Sequence, residues 1–172
     1  MPYHICALKE WQTIIKLASE STAIFNLIDV GDYFDVAVQS LALIYKTPYI
    51  LGGTFLQQMS VDFVKPEPSA ACVKCMFDNL DLEIVKKLVP DKIRDIQDLS
   101  FIPRNNNPIG QSNVYLASIC AEMMVARLCT YLMHDPEMEK LSFQRLLFFV
   151  STGESVKFEV PKQAKCLLCG SH

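Results

Sequence analysis

Glycine is scarce in this sequence, six in 172 residues, and none of the six builds a G-x-G-x-x-G phosphate loop. A self-contained nucleotide cradle is therefore absent from the motif inventory. Basic charge is not in surplus either: 16 Lys and Arg stand against 19 Asp and Glu, for a net charge of -3. With no basic block to meet a phosphate backbone, nucleic acid is not an expected partner. Uninterrupted apolar runs such as Leu146 to Val150 fall far short of the roughly 20 residues that cross a bilayer, so no membrane span is expected. The three histidines, His4, His134 and His172, form no H-x-x-H or H-E-x-x-H pattern. The opening residues MPYHICALKEW lack a basic n-region and a continuous apolar core, which reads as an unprocessed cytoplasmic chain.

What the sequence does have is apolar mass. Hydrophobic residues make up 51% of the chain, enough for one ordinary core, and residues 1–172 read as a single domain. Leu8, Trp11, Ile14, Ile15 and Ala18 fall at helical spacings, predicting a short amphipathic helix. Ala23 to Ile28 reads as a buried strand that leaves through the acidic loop Asp29-Val30-Gly31-Asp32. The segment YFDVAVQSLALIY is a helix packed on a sheet, and PYILGG is a second strand followed by a diglycine turn. This order of strand, loop, helix and strand predicts an α/β crossover. TFLQQMSVDFV supplies another extended segment, and residues 80 to 89 a short helix. Asp91 to Asn107, polar and proline-containing, reads as an exposed or mobile crossover. From Gly110 through Met133, the spacing of Val114, Ala117, Ala121, Met124, Leu128 and Leu132 predicts a deeply packed helix of about six turns. RLLFFV and SVKFEV read as two strands around the turn Ser151 to Glu154.

Four of the seven cysteines stand in two pairs, Cys72-Val73-Lys74-Cys75 and Cys166-Leu167-Leu168-Cys169. In a reducing compartment cysteines are thiols or metal ligands rather than a disulfide framework. Each C-x-x-C step lets two sulfurs face one ion, and four thiolates complete a closed, structural zinc shell that ties two distant segments together. The competing reading is two unrelated thiol pairs, one redox-active and one buried. Cys120 and Cys129 lie in the apolar helix and read as core cysteines, while Cys6 reads as surface or interface packing.

Asp29 and Asp32 stand where the first strand ends, and Asp35 opens the following helix. Carboxylates there either hold a cation beside a nucleotide phosphate or cap the helix, and local sequence leans towards capping. Asp32 is the sharper candidate for chemistry, because open α/β sheets bind ligands beyond their strand C-termini.

In its order of parts the sequence resembles the C-terminal half of the E1-like adenylyltransferase family, which includes the ThiF, MoeB and HesA proteins and the adenylation domains of ubiquitin-activating enzymes. NLIDVGDYFDVAVQSLALIYKTPYILGG resembles the acidic loop, helix and next strand. ACVKC and AKCLLCG resemble the paired zinc knuckles, and NPIGQSNVYLASICAEMMVARL the long helix entered through a glycine. The resemblance covers residues 23 to 170 and implies an α/β, incomplete Rossmann-like E1/ThiF fold with a mixed sheet, a long buried helix and a zinc-tethered segment.

The implied chemistry is ATP-dependent adenylation of a protein or peptide C-terminal carboxylate, with Asp32, supported by Asp29, as the cofactor-binding residues associated with ATP and Mg2+. The implied zinc ligands are Cys72, Cys75, Cys166 and Cys169. Two departures shape that expectation. Only 28 residues precede Asp29, too few for the nucleotide-binding half, and Asp91 through Gly110 contains no cysteine for thioester transfer. The sequence therefore reads as a fragment, a split subunit or a degenerate homologue, with no self-contained catalytic residue. Its expected partners are a second copy or a complementary E1-like chain, and a ubiquitin-like protein or peptide substrate. A zinc-stabilised protein-interaction module is the alternative outside enzymes.

Overall fold

The computed structural model describes residues 8–28, 30–67, 69–77, 79–103, 114–140 and 143–170. A helix α1 (Trp11–Ser19) leads into strand β1 (Ile24–Asn26), helix α2 (Asp32–Tyr45) and strand β2 (Tyr49–Phe55). β1 and β2 are parallel, in register from Ile24 opposite Tyr49, so α2 is the crossover that the sequence order predicted. From β2 onward every neighbour is antiparallel: β3 (Gln58–Val64), β4 (Phe143–Phe149) and β5 (Glu154–Glu159) complete a five-stranded mixed sheet in the order β1-β2-β3-β4-β5. Short helices α3 (Val73–Met76), α4 (Leu82–Val85) and α5 (Pro90–Ile93) follow β3, and a long helix α6 (Val114–Leu132) and a short α7 (Pro136–Lys140) precede β4.

The sheet carries a separate core on each face, because side chains alternate along a strand. Tyr49, Val64 and Phe143 point to the side covered by α2, and Ile50, Val61 and Phe63 to the side covered by α6. On the α2 side, Phe34, Val36, Ala37, Leu41 and Ala42 are buried against α1 and the short helices. Trp11 is fully buried there, its indole Nε1 donating to the Ile93 carbonyl at 3.1 Å and its ring meeting Phe34 edge-on at 6.3 Å.

Several sequence expectations need correction. β1 is an edge strand rather than a buried one: Asn26 is buried, but Phe25 is 39% exposed. The segment from Asp91 is not an exposed crossover over its first half, because Ile93 and Leu99 are fully buried and the Leu99 amide donates to the Leu8 carbonyl at 2.7 Å. Its polar composition hid three apolar anchors, Ile93, Leu99 and Ile102. The helix expected to be deeply packed is not: along α6 only Leu116, Cys120 and Met124 are buried, whereas Tyr115 is 75% exposed. Its apolar residues run round the whole circumference while the sheet covers one side. α6 is also long and apolar enough, by length and composition, to cross a membrane, with an 18-residue mean hydropathy of 1.3. Counting uninterrupted runs missed this, because Glu122 and Arg127 interrupt the run without lowering the average far. Here α6 lies against β2 and β3.

The diglycine is not a turn either. Gly52 and Gly53 lie inside β2, and the hairpin turns at Leu56 and Gln57, with Leu56 at φ 53°. Gly52 is where α6 approaches the sheet: a Cβ there would overlap Met124 Sδ, lie 2.9 Å from Leu27 Cδ2 and 3.1 Å from Cys120 Sγ. Gly52→Val is therefore expected to lower stability by about 2 kcal/mol through overpacking, a fall of about 4–8 °C in thermal midpoint for a chain of this size. In a Met124→Ala background the same substitution should cost less. An equal loss in both backgrounds, measured by thermal unfolding, would show that this contact is not the cause.

Candidate metal centre and acidic loop

Each cysteine pair is presented by a tight local turn. Cys72 precedes α3, and the Cys75 amide donates to the Cys72 carbonyl at 2.9 Å. At the other end of the chain the Gly170 amide donates to the Cys166 carbonyl at 2.8 Å. Gly170 is needed here, since a Cβ would overlap that same carbonyl. The two turns meet. Sγ separations are 3.8 Å for Cys72 and Cys75, 3.4 Å for Cys72 and Cys166, and 3.4 Å for Cys75 and Cys169, and all four sulfurs lie within 4.8 Å of one another.

These separations exclude disulfides, whose sulfurs sit about 2.05 Å apart. They match the edge of a tetrahedron about 3.8 Å long that follows from a Zn–S bond of about 2.3 Å. The four buried cysteines can thus hold a metal such as zinc, with no position left open for chemistry. Crowding couples their protons: Cys72, hydrogen-bonded first to Cys166, is pushed up, and Cys166, hydrogen-bonded first to Cys169, is pushed down. The surroundings brace the site. Gln163 donates its amide to Cys75 Sγ at 3.4 Å and its side chain to the Cys75 carbonyl at 3.0 Å, and Gln39 of α2 accepts from the Val73 amide.

Asp32 is the first residue of α2 and is exposed, at the C-terminal end of the parallel strand β1. It is not the cap. That place belongs to Gly31, at φ 122° and without a side chain, so Asp32 instead adds negative charge to the helix's first turn, where the helix dipole favours it. Asp29 lies outside the described residues. Gln39 sits seven residues along α2 from Asp32, so the brace of the cysteine turn is about 10 Å down the same helix axis from the acidic loop.

Sequence reasoning missed the network that holds this loop. Asn26, buried at the end of β1, donates to Asp35 Oδ1 and to the Tyr49 hydroxyl, each at 2.8 Å, and accepts from the Ile28 amide at 3.1 Å. Burial, with Asp35 nearby, pushes the Tyr49 hydroxyl well up. A lone asparagine at the end of an apolar strand was the available signal.

A second buried cluster was also missed. Asp62 on β3 is fully buried and stands opposite Arg145 on β4, with Arg145 Nε 3.1 Å from Oδ1 but without hydrogen-bond alignment. Arg145 turns its Nη1 to Met76 Sδ at 2.7 Å. Burial raises the Asp62 carboxyl to about 6, against the opposing charges of Arg145 and Arg127.

These features define a mixed α/β protein with a five-stranded sheet, a four-thiol cluster and an acidic strand-to-helix loop. No family model matches the sequence, and no curated protein matches it. Solved structures do. E. coli MccB superposes with a TM-score of 0.62 at 14% identity, over 92% of this chain and 42% of MccB. MccB solved with MccA-N7isoASN gives 0.59 at 15% identity, over 93% and 44%. A heterocyclase in complex with substrate and cofactor gives 0.54 at 11% identity, over 96% and 24%. At such identities the likeness is one of fold. The chain spans less than half the length of the MccB structures it matches.

Proposed function

We propose that this chain is the C-terminal portion of a ThiF/MoeB-type, E1-like adenylyltransferase acting on a protein or peptide C-terminal carboxylate, and that it is inactive by itself. The observation that carries this reading is the placement of Asp32 just beyond a parallel strand's C-terminal end, in a fold shared with a protein solved together with MccA. In the reaction, a carboxylate oxygen attacks the α-phosphorus of ATP, the new O–P bond forms, and the bond to the β-phosphate breaks to release pyrophosphate. Asp32, with Asp29, would hold Mg2+, which screens phosphate charge when bound. The first turn of α2 presents its amides on the same side. The Asn26, Asp35 and Tyr49 network ties the end of β1 to the first turn of α2, which carries Asp32, and so positions that carboxylate in advance.

Zinc on Cys72, Cys75, Cys166 and Cys169 has a structural role in this reading. The assembly is a homo-oligomer or a pair with a complementary E1-like chain in the cytoplasm, and residues 1–172 act as one domain. A second reading, a zinc-stabilised interaction module, is favoured by the exposed apolar side of α6, where Val114, Tyr115 and Leu132 are more than half exposed.

The purified chain is expected to give no ATP-dependent pyrophosphate exchange with candidate protein or peptide C-termini, and to regain it with a complementary nucleotide-binding chain. In that complex Asp32→Asn should lower exchange at least tenfold while metal content stays unchanged. Robust exchange by the chain alone would overturn the incompleteness argument. Full exchange by Asp32→Asn would remove Asp32 from the site and favour the interaction module.

A further inference from the structure

The end of the sheet away from the acidic loop carries a cleft of its own. β3 leaves the sheet at Val64, which stands level with Tyr49 and, through it, with Ile24 at the start of β1. The acidic loop follows the other end of β1, on the α2 side. Between the residues that follow β3 and the last turn of α6 lies a cavity of about 500 Å3, lined by Lys65, Glu67, Tyr131, Leu132 and His134. That volume is in the range of small-molecule sites, and none of the five residues belongs to the cysteine cluster or the acidic loop.

The lining is graded from a buried floor to an exposed mouth. Lys65 is only 7% exposed, a depth at which lysine is rare. Tyr131 forms a braced wall, its ring packed on Phe63 with centroids 5.1 Å apart. Leu132, 56% exposed, continues the apolar surface outward, and Glu67 and His134 are exposed at the mouth. His134 is held there by an uncommon backbone. α6 closes with the His134 amide donating to the Tyr131 carbonyl at 3.0 Å and the Asp135 amide to the Thr130 carbonyl at 3.2 Å. These are the paired bonds of a Schellman cap, whose left-handed position usually belongs to glycine. Here histidine occupies it, at φ 55°. Side chains kept in that region against their preference gather at ligand sites.

We propose that this cleft binds a small apolar zwitterion of dipeptide size, its carboxylate on the Lys65 ammonium, its side chains against Tyr131 and Leu132, and its amino group towards Glu67, with His134 hydrogen-bonding to it at the mouth. The charges select this class. A phosphate dianion would meet a single lysine and be repelled by Glu67, and a purely apolar ligand would strip water from both charged groups and return nothing. One carboxylate and one ammonium satisfy both ends, and charge-assisted hydrogen bonds are the strong ones. A single amino acid carries its charges one carbon apart and underfills the cavity, whereas a dipeptide separates them by a peptide unit. The site is independent of the adenylation reading and needs neither ATP nor a second chain.

The test is calorimetric titration of the purified full chain with leucyl-phenylalanine, phenylalanyl-leucine and leucyl-leucine, and with the C-amidated and N-acetylated forms of the tightest binder. At least one dipeptide is expected to bind with a Kd of about 1 mM or tighter, and its amide at least tenfold more weakly. Lys65→Met should bind the acid at least tenfold more weakly and no longer tell it from the amide. Acetylation should cost about threefold in the parent and nothing in Glu67→Gln. His134→Gly relieves the backbone, so its thermal midpoint should rise by about 2–4 °C while dipeptide affinity falls at least threefold. A merely structural histidine would give the rise without the loss. Glu67 and His134 are exposed, so their variants decide the matter even where Lys65→Met disturbs the fold. Failure of all three dipeptides to bind, equal affinity for acid and amide, or unchanged affinity in Glu67→Gln and His134→Gly would overturn the proposal, as would tighter binding of inorganic phosphate.

Discussion

Replacing Cys75 with serine is expected to weaken zinc binding and lower the thermal midpoint of the zinc-loaded protein by about 10 °C. A four-thiolate zinc site contributes about 10–16 kcal/mol of apparent binding energy, so one of four ligands is worth about 3–4 kcal/mol, and each kcal/mol moves the midpoint of a chain this size by about 2–4 °C. Cys75 is the ligand to change because Gln163 is fastened to it twice, through its sulfur and through its carbonyl. Losing that sulfur unseats the C-terminal turn as well as α3. Cys129→Ser, at an exposed position outside the cluster, is the control and should alter neither metal content nor midpoint. One zinc per chain by metal analysis is expected for the parent protein. A Cys75→Ser protein that keeps its metal and its midpoint would break the assignment.

The second large effect concerns Asp62 and appears as a pH dependence. Its carboxyl titrates near 3.8 when unfolded and at about 6 when folded, chiefly because burial penalises the charge. The folded state therefore binds the proton more tightly, and stability from this group is present below pH 4 and lost as pH rises through about 6. The gap corresponds to about 3 kcal/mol. Other carboxylates move stability the opposite way, so the comparison must be with Asp62→Asn, which does not titrate. The opposing charges of Arg145, across the ladder, and Arg127, on α6, are present in both proteins and drop out of the comparison. Measured by chemical denaturation, the stability of the parent relative to Asp62→Asn should rise by up to about 3 kcal/mol between pH 7 and pH 4. A difference independent of pH would mean that Asp62 is held ionised by its arginines.

The Asp62 cluster also shows where the sequence stops being readable. Periodicity located the helices α1, α2 and α6 and the strands β1 to β5, because helix and strand patterns are local. Burial is not local. Asp62 reads as one polar residue in MSVDFV until the register of β3 against β4 puts Arg145 opposite it. The α6 helix reads as core because its apolar content is high, yet what is buried depends on how much sheet it meets, and β2 and β3 bury only the stripe of Leu116, Cys120 and Met124. The cysteine pairs were legible because ligand spacing is a local signature, and their convergence followed from the count of four. Asp32 was legible as the end of a strand and the start of a helix. The Asn26 network that holds its loop was not, since it needs Tyr49 brought alongside by a parallel pairing 23 residues away in sequence.

The joining of the two cysteine turns also has a kinetic side. The ladder between β3 and β4 begins with Val64 opposite Phe143, so forming it in an unfolded chain means closing a loop of about 79 residues. A metal held by Cys72 and Cys166 would join points 94 residues apart, and would leave about 30 residues of slack between Val64 and Phe143 when the chain is followed through the bridge. With closure entropy growing as the logarithm of loop length, the shortcut lowers the cost of that pairing by about 0.8 kcal/mol, or roughly fourfold in rate where this closure limits folding. Metal on the four thiolates would thus act on the search for the middle of the sheet as well as on its final stability: captured early, it would make the longest-range strand pairing a nearly local one.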